Sequence, residues 1–199
     1  NTDLSSGGMV WIKERSDTSE SGYNVITDSE RGLTKQLFTE QGNSGSISSS
    51  RVTALNNNGF SIGTSSYVNT NNSTYSSWSF AKKKGFFTVI KWTGNQTNGR
   101  QISHDLGCVP GCIIVKRYDA GYEDWMVYHR GNADTSNAGN YWLTLNGTAA
   151  KGNSDRFYDL EPTATYFTVS DHETVNTNND EYVAYLFAGG ESPAATATS

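Results

Sequence analysis

One short segment of this chain occurs twice, and that repeat constrains the fold more than any other feature. The run Val-Asn-Thr-Asn-Asn opens both residues 68–81 and residues 175–188, an offset of 107 residues. Beyond the run, Tyr75 aligns with Tyr182 at the same offset. Self-similarity at a fixed spacing indicates a chain built from copies of one structural unit.

The similarity continues towards the N-terminus of each copy. Gly-Phe-Ser-Ile at 59–62 aligns with Tyr-Phe-Thr-Val at 166–169, again at an offset of 107 residues. Val-Trp-Ile-Lys at 10–13 aligns with Ile-Ile-Val-Lys at 113–116 at an offset of 103. The second copy therefore has longer loops, which is where insertions are tolerated.

The repeat predicts three parts: a first half (1–84), a second half (85–190) and a C-terminal tail (191–199). The second half begins with a preface, residues 85–111, that has no counterpart before Val10, so we expect either that the N-terminus is truncated or that the first copy does without the preface. Residues 1–8 and the tail carry almost no apolar side chain, and we expect one or both to run along a neighbouring subunit or to continue into further chain.

Composition and patterning predict an all-β fold. Charged residues make up 18% and aromatic residues 12% of the chain, and no long segment carries an apolar stripe at helical spacing. Short apolar runs alternate with turn-forming clusters, which is typical of antiparallel β-sandwiches. The predicted strands are Val10–Lys13, Tyr23–Asp28, Gly59–Gly63, Tyr75–Phe80, Phe86–Trp92, Arg100–His104, Cys112–Arg117, Trp125–His129, Tyr141–Leu145, Tyr166–Val169 and Tyr182–Phe187.

Two further structural expectations follow from the pattern. The strand Tyr182–Phe187 is apolar on both faces and should lie centrally in its sheet, whereas Tyr75–Phe80 alternates polar and aromatic residues. Trp78 and Phe80 should be interior or interfacial. A short helix is expected at Arg31–Thr39.

Charge and cysteine content exclude several classes of function. The net charge is −5 with no basic stripe, so nucleic acid is not an expected partner. No apolar stretch is long enough to insert into a membrane. Cys108 and Cys112 are too few for a disulfide framework or a zinc site, and two free thiols are favoured over a strained small-loop disulfide.

No catalytic constellation is apparent, and we expect no enzymatic activity. His104, His129 and His172 lack the nucleophile and orienting group that a catalytic dyad needs. His172 stands between two acidic residues, but its counterpart in the first copy has no ligand, so we expect no metal and no cofactor. The pairs Glu123-Asp124 and Asp180-Glu181 could serve a glycosidase, although acidic pairs are common in hairpin loops.

Aromatic residues are the candidates for ligand binding. Tyr122, Trp125, Tyr141 and Trp142 are the best candidates for a sugar-binding surface, although most of them alternate like core residues. The repeated Asn-rich run could also bind glycans, but Asn and Thr side chains that stabilise a turn are the favoured explanation.

Several motifs together resemble a domain found in virion proteins of marine tailed bacteriophages, including cyanophages. They are Val10–Arg15, Asp28–Gly32, Gly59–Gly63, Val68–Phe80, Thr93–Asn95, His104–Pro110 and Ile113–Arg117, with Trp125–His129 in the second half. The resemblance covers about residues 9–188. It implies a concanavalin-like or jelly-roll-like β-sandwich in a tail fibre, an appendage or a capsid surface.

Two classes of function are therefore expected. The first is a non-enzymatic structural or adhesive virion component on the extracellular particle surface. It would assemble with other virion subunits as a homo-oligomer, with a trimer favoured, and could contact host surface glycans. The alternative is a secreted carbohydrate-binding module of a cellular protein.

Overall fold

Antiparallel strands form nearly all of the regular structure of this chain. The computed structural model describes residues 2–16, 22–119, 121–133 and 137–190. Within these ranges the strands are β1 (Gly8–Glu14), β2 (Asn24–Asp28), β3 (Lys35–Phe38), β4 (Ser46–Ile47), β5 (Val52–Asn56), β6 (Gly59–Ile62), β7 (Tyr75–Ala81), β8 (Phe87–Thr93), β9 (Arg100–Ser103), β10 (Pro110–Arg117), β11 (Met126–His129), β12 (Tyr141–Thr144), β13 (Gly152–Asn153), β14 (Tyr166–Val169) and β15 (Glu181–Ala188). The helices are two single turns, α1 (Ser66–Asn69) and α2 (Glu173–Asn176), and three 3-10 turns at Arg130–Asn132, Ala138–Asn140 and Asp155–Phe157.

Two large sheets pack face to face as an antiparallel β-sandwich. The first sheet has the strand order β4-β3-β2-β1-β7, and the second has the order β13-β12-β11-β10-β15-β8. Met9, Ile26 and Leu37 of the first sheet meet Val183 and Tyr185 of the second in one buried cluster. The predicted fold class, an all-β antiparallel sandwich, is confirmed.

Each sheet is also covered on its outer face. The pair β5–β6 and α1 cover the first sheet, where Val52 and Val68 join a second buried cluster. The pair β9–β14 and α2 cover the second sheet, where Phe167 and Val175 join a third cluster. Both sheets are therefore apolar on both faces over most of their length.

Strand β15 shows this double burial most clearly. Tyr182, Ala184 and Leu186 face the outer cluster of the second sheet, while Val183 and Tyr185 face the inter-sheet cluster. The strand lies between β10 and β8. Its predicted central position is confirmed, and both of its faces are covered by other layers of the domain.

The repeated segments adopt the same local structure. Helix α1 precedes β7 as α2 precedes β15. The Tyr75 hydroxyl accepts from Thr70 N (2.9 Å) and lies 3.2 Å from Ser66 O, to which it donates. The Tyr182 hydroxyl likewise accepts from Thr177 N (2.8 Å) and donates to the carbonyl of Glu173 (2.6 Å).

The neighbouring strands also pair in matching register. Lys13 of β1 lies opposite Ser76 of β7, and Lys116 of β10 lies opposite Val183 of β15. The two copies differ in their other partners, because β6 pairs with β5 whereas β14 pairs with β9. The equivalence of the complete halves, 1–84 and 85–190, stays a prediction.

Every strand predicted from the sequence is present, but β3, β4, β5 and β13 were not predicted. The helix expected at Arg31–Thr39 is absent: turns occupy residues 29–34, and β3 follows. Gly32 has φ +89°, a left-handed conformation that interrupts a helix, and β3 is held by pairing with β2. The expectation that a helix forms there was therefore wrong.

The N-terminal segment is anchored by its own domain. Leu4 is fully buried in the outer cluster of the first sheet, and its N–H donates to Asn56 O (2.8 Å). A neighbouring subunit is therefore not needed to order residues 2–8. The tail, residues 191–199, lies outside the described residues, and its expected contact with a neighbour stays a prediction.

A buried polar cluster joins the two sheets. Arg31 Nε lies 2.6 Å from Asp28 Oδ2, and both side chains are almost completely buried. The Tyr185 hydroxyl donates to Asp28 Oδ2 (2.7 Å) and accepts from Arg31 Nη2 (3.2 Å). Burial raises the pKa of Tyr185 well above its ordinary value, so the hydroxyl keeps its proton.

Replacing Arg31 by Leu should lower the free energy of unfolding by about 3–5 kcal/mol, because Asp28 would remain buried without a countercharge. Tyr185→Phe should cost only about 1–2 kcal/mol, since the ion pair survives. Urea denaturation measures both, with Arg15→Leu at an exposed position as the control. A loss below about 1 kcal/mol for Arg31→Leu would show that the cluster does not hold the sheets together.

The two equivalent tyrosines should differ in their contribution to stability. Tyr182→Phe removes two hydrogen bonds made by the hydroxyl of a fully buried side chain and should cost about 1–3 kcal/mol. Tyr75→Phe should cost about 1 kcal/mol or less, because the Tyr75 side chain is only partly buried and water can replace its hydroxyl. Thermal unfolding compares them, and Tyr122→Phe at an exposed ring is the control. Equal losses would contradict this ranking.

Candidate functional site

The inner face of the first sheet is not fully covered by the second sheet. Alternation along β1 places Met9, Trp11 and Lys13 on the inner face, and alternation along β7 does the same for Trp78 and Phe80. Met9 and Phe80 reach the inter-sheet cluster, whereas Trp78 is 47% exposed. Beyond the cluster this face forms an open groove.

The groove has a volume of about 470 Å³ and is lined by Trp11, Lys13, Arg15, Asn24, Trp78 and Phe80. Trp11 and Trp78 lie opposite each other in the pairing of β1 with β7. Their ring centroids are 5.7 Å apart, and the rings are tilted by 57°. The two indoles therefore form the walls of a wedge-shaped cleft and not a flat platform.

Polar groups surround this aromatic pair. The Trp11 indole N–H donates to Asn24 Oδ1 (3.4 Å), which fixes the orientation of that ring. Lys13 donates to the carbonyl of Gly22, which holds its ammonium group beside the groove. Among the six lining residues there are two cations and no carboxylate. An apolar cleft with a few polar groups at its rim is the usual form of a small-ligand site.

Sequence reasoning missed this groove. Trp78 was expected to be interior or interfacial, like its counterpart Tyr185, which is 1% exposed. Phe80 is interfacial as expected, but Trp78 lies beyond the part of the first sheet that the second sheet covers. Ser76, where β15 has Val183 in the inter-sheet cluster, is the available signal that the inner face of β7 is less covered than that of β15.

Two of the four ligand-binding residues predicted from the sequence lie near the junction of the sheets. Trp125 is fully buried, and its indole N–H lies 3.1 Å from Phe38 O and 3.0 Å from Gln41 O, so it donates to main-chain carbonyls at the end of β3 and in the loop that follows. The predicted ligand-binding role of Trp125 is wrong, because a ligand cannot reach its ring. Tyr122 is 69% exposed on the loop after β10.

The other two, Tyr141 and Trp142, are consecutive residues of β12 and so point to opposite faces. The Lys151 ammonium lies 4.2 Å from the centre of the Tyr141 ring. The Trp142 indole N–H donates to Ser154 Oγ (2.8 Å), and Arg156 stacks over its ring. Tyr141 and Trp142 therefore do not share one surface. Ligand binding at Tyr122, Tyr141 and Trp142 stays a prediction.

The three histidines each bond to a nearby turn. His104 Nδ1 accepts from Leu106 N (3.3 Å), His129 Nδ1 accepts from Gly131 N (3.1 Å), and His172 Nδ1 accepts from Thr174 N (3.2 Å) at the start of α2. Burial lowers the pKa of both His104 and His172, which favours the neutral acceptor form. Within the described ranges, no group of three or more His, Cys, Asp or Glu residues is placed to hold a metal ion.

The acidic pairs are engaged in structural contacts. Arg117 joins Glu123 (3.5 Å) from one pair to Asp180 (3.0 Å) from the other. Asp124 accepts from Asn146 Nδ2 (2.8 Å), and Glu181 accepts from the Thr93 hydroxyl (2.6 Å). These carboxylates therefore form ion pairs and hydrogen bonds with neighbouring side chains of the domain and do not face an open cleft.

The two cysteines are free thiols, as favoured from the sequence. Burial raises the pKa of Cys112 to about 11, so its thiol is protonated and unreactive at neutral pH. No helix in the described part of the chain is long and apolar enough to cross a membrane.

One lysine is fully buried. Lys116 Nζ donates to Gly42 O (3.0 Å) and Arg117 O (2.6 Å), and burial lowers the pKa of Lys116 to about 8. Because the side chain is fully buried, we regard this amine as a link between β10 and the loop after β3, and not as a nucleophile.

The buried lysine predicts a pH dependence of stability. Between pH 8 and 10.5 the folded chain holds fewer protons at Lys116 than the unfolded chain, whose lysine has its ordinary pKa of 10.5. The free energy of unfolding of the wild type should therefore rise over this range by about 2–3 kcal/mol relative to Lys116→Met. Urea titrations at several pH values measure this difference, which should be flat below pH 7. A difference that is also constant from pH 8 to 10.5 would contradict a buried, neutralised lysine.

A family model described as Domain of unknown function (DUF7483) matches residues 5–193. No curated protein and no solved structure shows significant similarity to the chain.

Proposed function

Because the chain belongs to the DUF7483 family, which has no assigned function, we propose a role from the site itself: a non-enzymatic adhesive domain that binds glycans. The groove lined by Trp11 and Trp78 is the observation that carries this proposal. Among the described residues, the carboxylates and histidines that could support catalysis instead form hydrogen bonds or ion pairs with other residues of the domain.

The shape of the groove favours a sugar. Indole faces pack against the apolar faces of sugar rings, and the adjacent amide and cationic groups can donate to hydroxyl oxygens. Trp11 and Trp78 are tilted by 57°, so the cleft suits one sugar ring better than the flat surface of a crystalline polysaccharide.

The charge of the groove favours an acidic sugar. Lys13 and Arg15 lie at its rim, and none of its six described lining residues is a carboxylate, although the chain as a whole has a net charge of −5. A local cationic site on an acidic protein attracts a carboxylate or sulfate group, since each such group can accept charge-assisted hydrogen bonds. We therefore assign the groove to sugars that carry these groups.

The resemblance to phage virion proteins supports placing this adhesive domain on the surface of a virion, in a fibre, an appendage or the capsid. There it would act in several copies, with a trimer favoured, and contact host glycans. A secreted carbohydrate-binding module of a cellular protein is the alternative, and it would use the same groove.

Trp78→Ala should weaken glycan binding by roughly tenfold or more, because it removes one wall of the cleft. Wild type and variant are compared on an array of neutral, sulfated and carboxylate-bearing glycans, followed by calorimetry with the best ligand. Affinity should also fall as salt is raised, since the cationic groups contribute.

Tyr122→Ala is the matched control, because Tyr122 is an exposed aromatic outside the groove. It should leave affinity unchanged. If Tyr122→Ala abolishes binding and Trp78→Ala does not, the site lies at the residues predicted from the sequence and the groove proposal fails. Turnover of a bound glycan that disappears in Asp124→Asn would refute the non-enzymatic assignment.

A further inference from the structure

The two large sheets have four edges, and the edge formed by β7 is the least protected. Strands β4 and β13 are two residues long. Strand β8 carries Lys91, and Phe87 at its start is bridged to Lys83. Strand β7 is seven residues long and contains neither a charged residue nor proline. Short length, charge and proline are the devices that stop an edge from pairing with another strand, and β7 has none of them.

The hydrogen bonds at the two ends of β7 show which of its main-chain groups are unpaired. Lys82 N donates to Gly7 O (3.0 Å), and Arg15 N donates to Thr74 O (2.7 Å), so even-numbered residues of this segment bond towards β1. Bonding direction alternates along a strand. The N–H and C=O groups of Tyr75, Ser77, Ser79 and Ala81 therefore point away from β1. Within the described part of the chain, no strand pairs with that side of β7.

In β15, the main-chain groups that correspond to the outward-facing groups of β7 pair with a further strand, β8. Ala188 N donates to Phe86 O (2.9 Å), and β8 pairs antiparallel with β15 from Glu181↔Thr93 to Phe187↔Phe87. The residues of β15 that bond to β8 are therefore the even-numbered ones. They are the counterparts of the four outward-facing residues of β7 at the offset of 107.

An apolar patch adjoins the free edge. Trp78 is 47% exposed and Phe86 is 46% exposed. Phe80 connects them to the interior, with ring centroids 6.4 Å from Phe86 and 5.2 Å from Phe187, which packs against the inter-sheet cluster. The patch is thus continuous with the interface between the sheets. A strand added to β7 could extend that interface with its own apolar side chains.

We propose that the free edge of β7 is a docking site for an extended segment of another polypeptide, added antiparallel as β8 is added to β15. The segment has the chemistry of β8, with bulky apolar residues at alternate positions on the side facing the inter-sheet cluster. Main-chain hydrogen bonds supply the affinity, and the patch at Trp78 and Phe86 selects the side chains, as in other strand-addition complexes. This inference does not rest on glycan binding.

A peptide with the sequence of residues 85–95 of this chain, flanked by lysines for solubility and labelled with a fluorophore, tests the proposal. In the register of β8, its Ile90 would bond to Ser77 and its Thr88 to Ser79. N-methylation of Thr88 and Ile90 should abolish binding measured by fluorescence anisotropy. N-methylation of Val89 and Lys91, whose N–H groups would face away from β7, should leave it within about twofold.

Variants of the protein locate the peptide. Ser77→Pro removes an outward N–H without disturbing the bonds to β1, and should weaken peptide binding by roughly tenfold or more. Ser77→Thr keeps that N–H and is the matched control. Thermal unfolding verifies that both variants fold, and the N-methylated peptides test the wild type independently of any variant.

Three outcomes would overturn the proposal. Equal binding of the two N-methylated peptides would exclude strand addition. Binding that Ser77→Pro leaves unchanged would mean that the peptide displaces β8 or binds elsewhere. Self-association of the wild type that Ser77→Pro abolishes would assign the edge to a second copy of this chain. The docking site would be established by two results together. Adding the peptide should increase the protection of β7 amides from hydrogen exchange, and binding should weaken both with the peptide N-methylated at Thr88 and Ile90 and with the Ser77→Pro variant.

Discussion

Burial of both faces of both sheets is the constraint on which the rest of this structure depends. Strands β1, β10 and β15 carry apolar side chains on both sides, so each sheet needs the other sheet on one face and a cover on the opposite face. The single-turn helices and the small two-stranded pairs supply those covers. Without them, the clusters around Val68 and Val175 would be exposed to water.

Several buried polar side chains form hydrogen bonds that join the two sheets. Asp28, Arg31 and Tyr185 satisfy one another across the sheet interface. The Trp125 indole bonds to carbonyls of the opposite sheet, and Lys116 bonds to the carbonyl of Gly42. These contacts fix the relative position of the sheets more specifically than apolar packing does, because hydrogen bonds depend on direction as well as distance.

The two candidate surfaces lie where the first sheet is no longer covered by the second sheet or paired with a further strand. The first sheet has no counterpart of β8 among the described residues, so the edge of β7 is unpaired and the inner face beyond Phe80 is open. The glycan groove occupies that face, and the strand-docking site occupies the edge. Trp78 belongs to both, so a strand added at β7 would change the outer wall of the groove.

The all-β class, the central position of β15 and the strands that follow the two Asn-rich segments could be predicted from the sequence. These properties depend on local alternation and on residue identity, which a sequence displays directly. It also favoured free thiols at Cys108 and Cys112. It did not predict β3, because Gly32 and pairing with β2 override the local preference of residues 31–39, or the very short strands β4 and β13, whose pairing is decided by their neighbours.

Which aromatic residues are accessible depends on the packing of the two sheets and could not be predicted from the sequence. Trp125 and Trp78 have the same chemistry, yet one is fully buried and the other is 47% exposed. Exposure depends on how far one sheet extends over the other, and Trp11 and Trp78 become neighbours through a contact between residues 67 positions apart. Local sequence patterns do not fix the overlap of the sheets or the contact between the two indoles, because both are set by packing between distant segments.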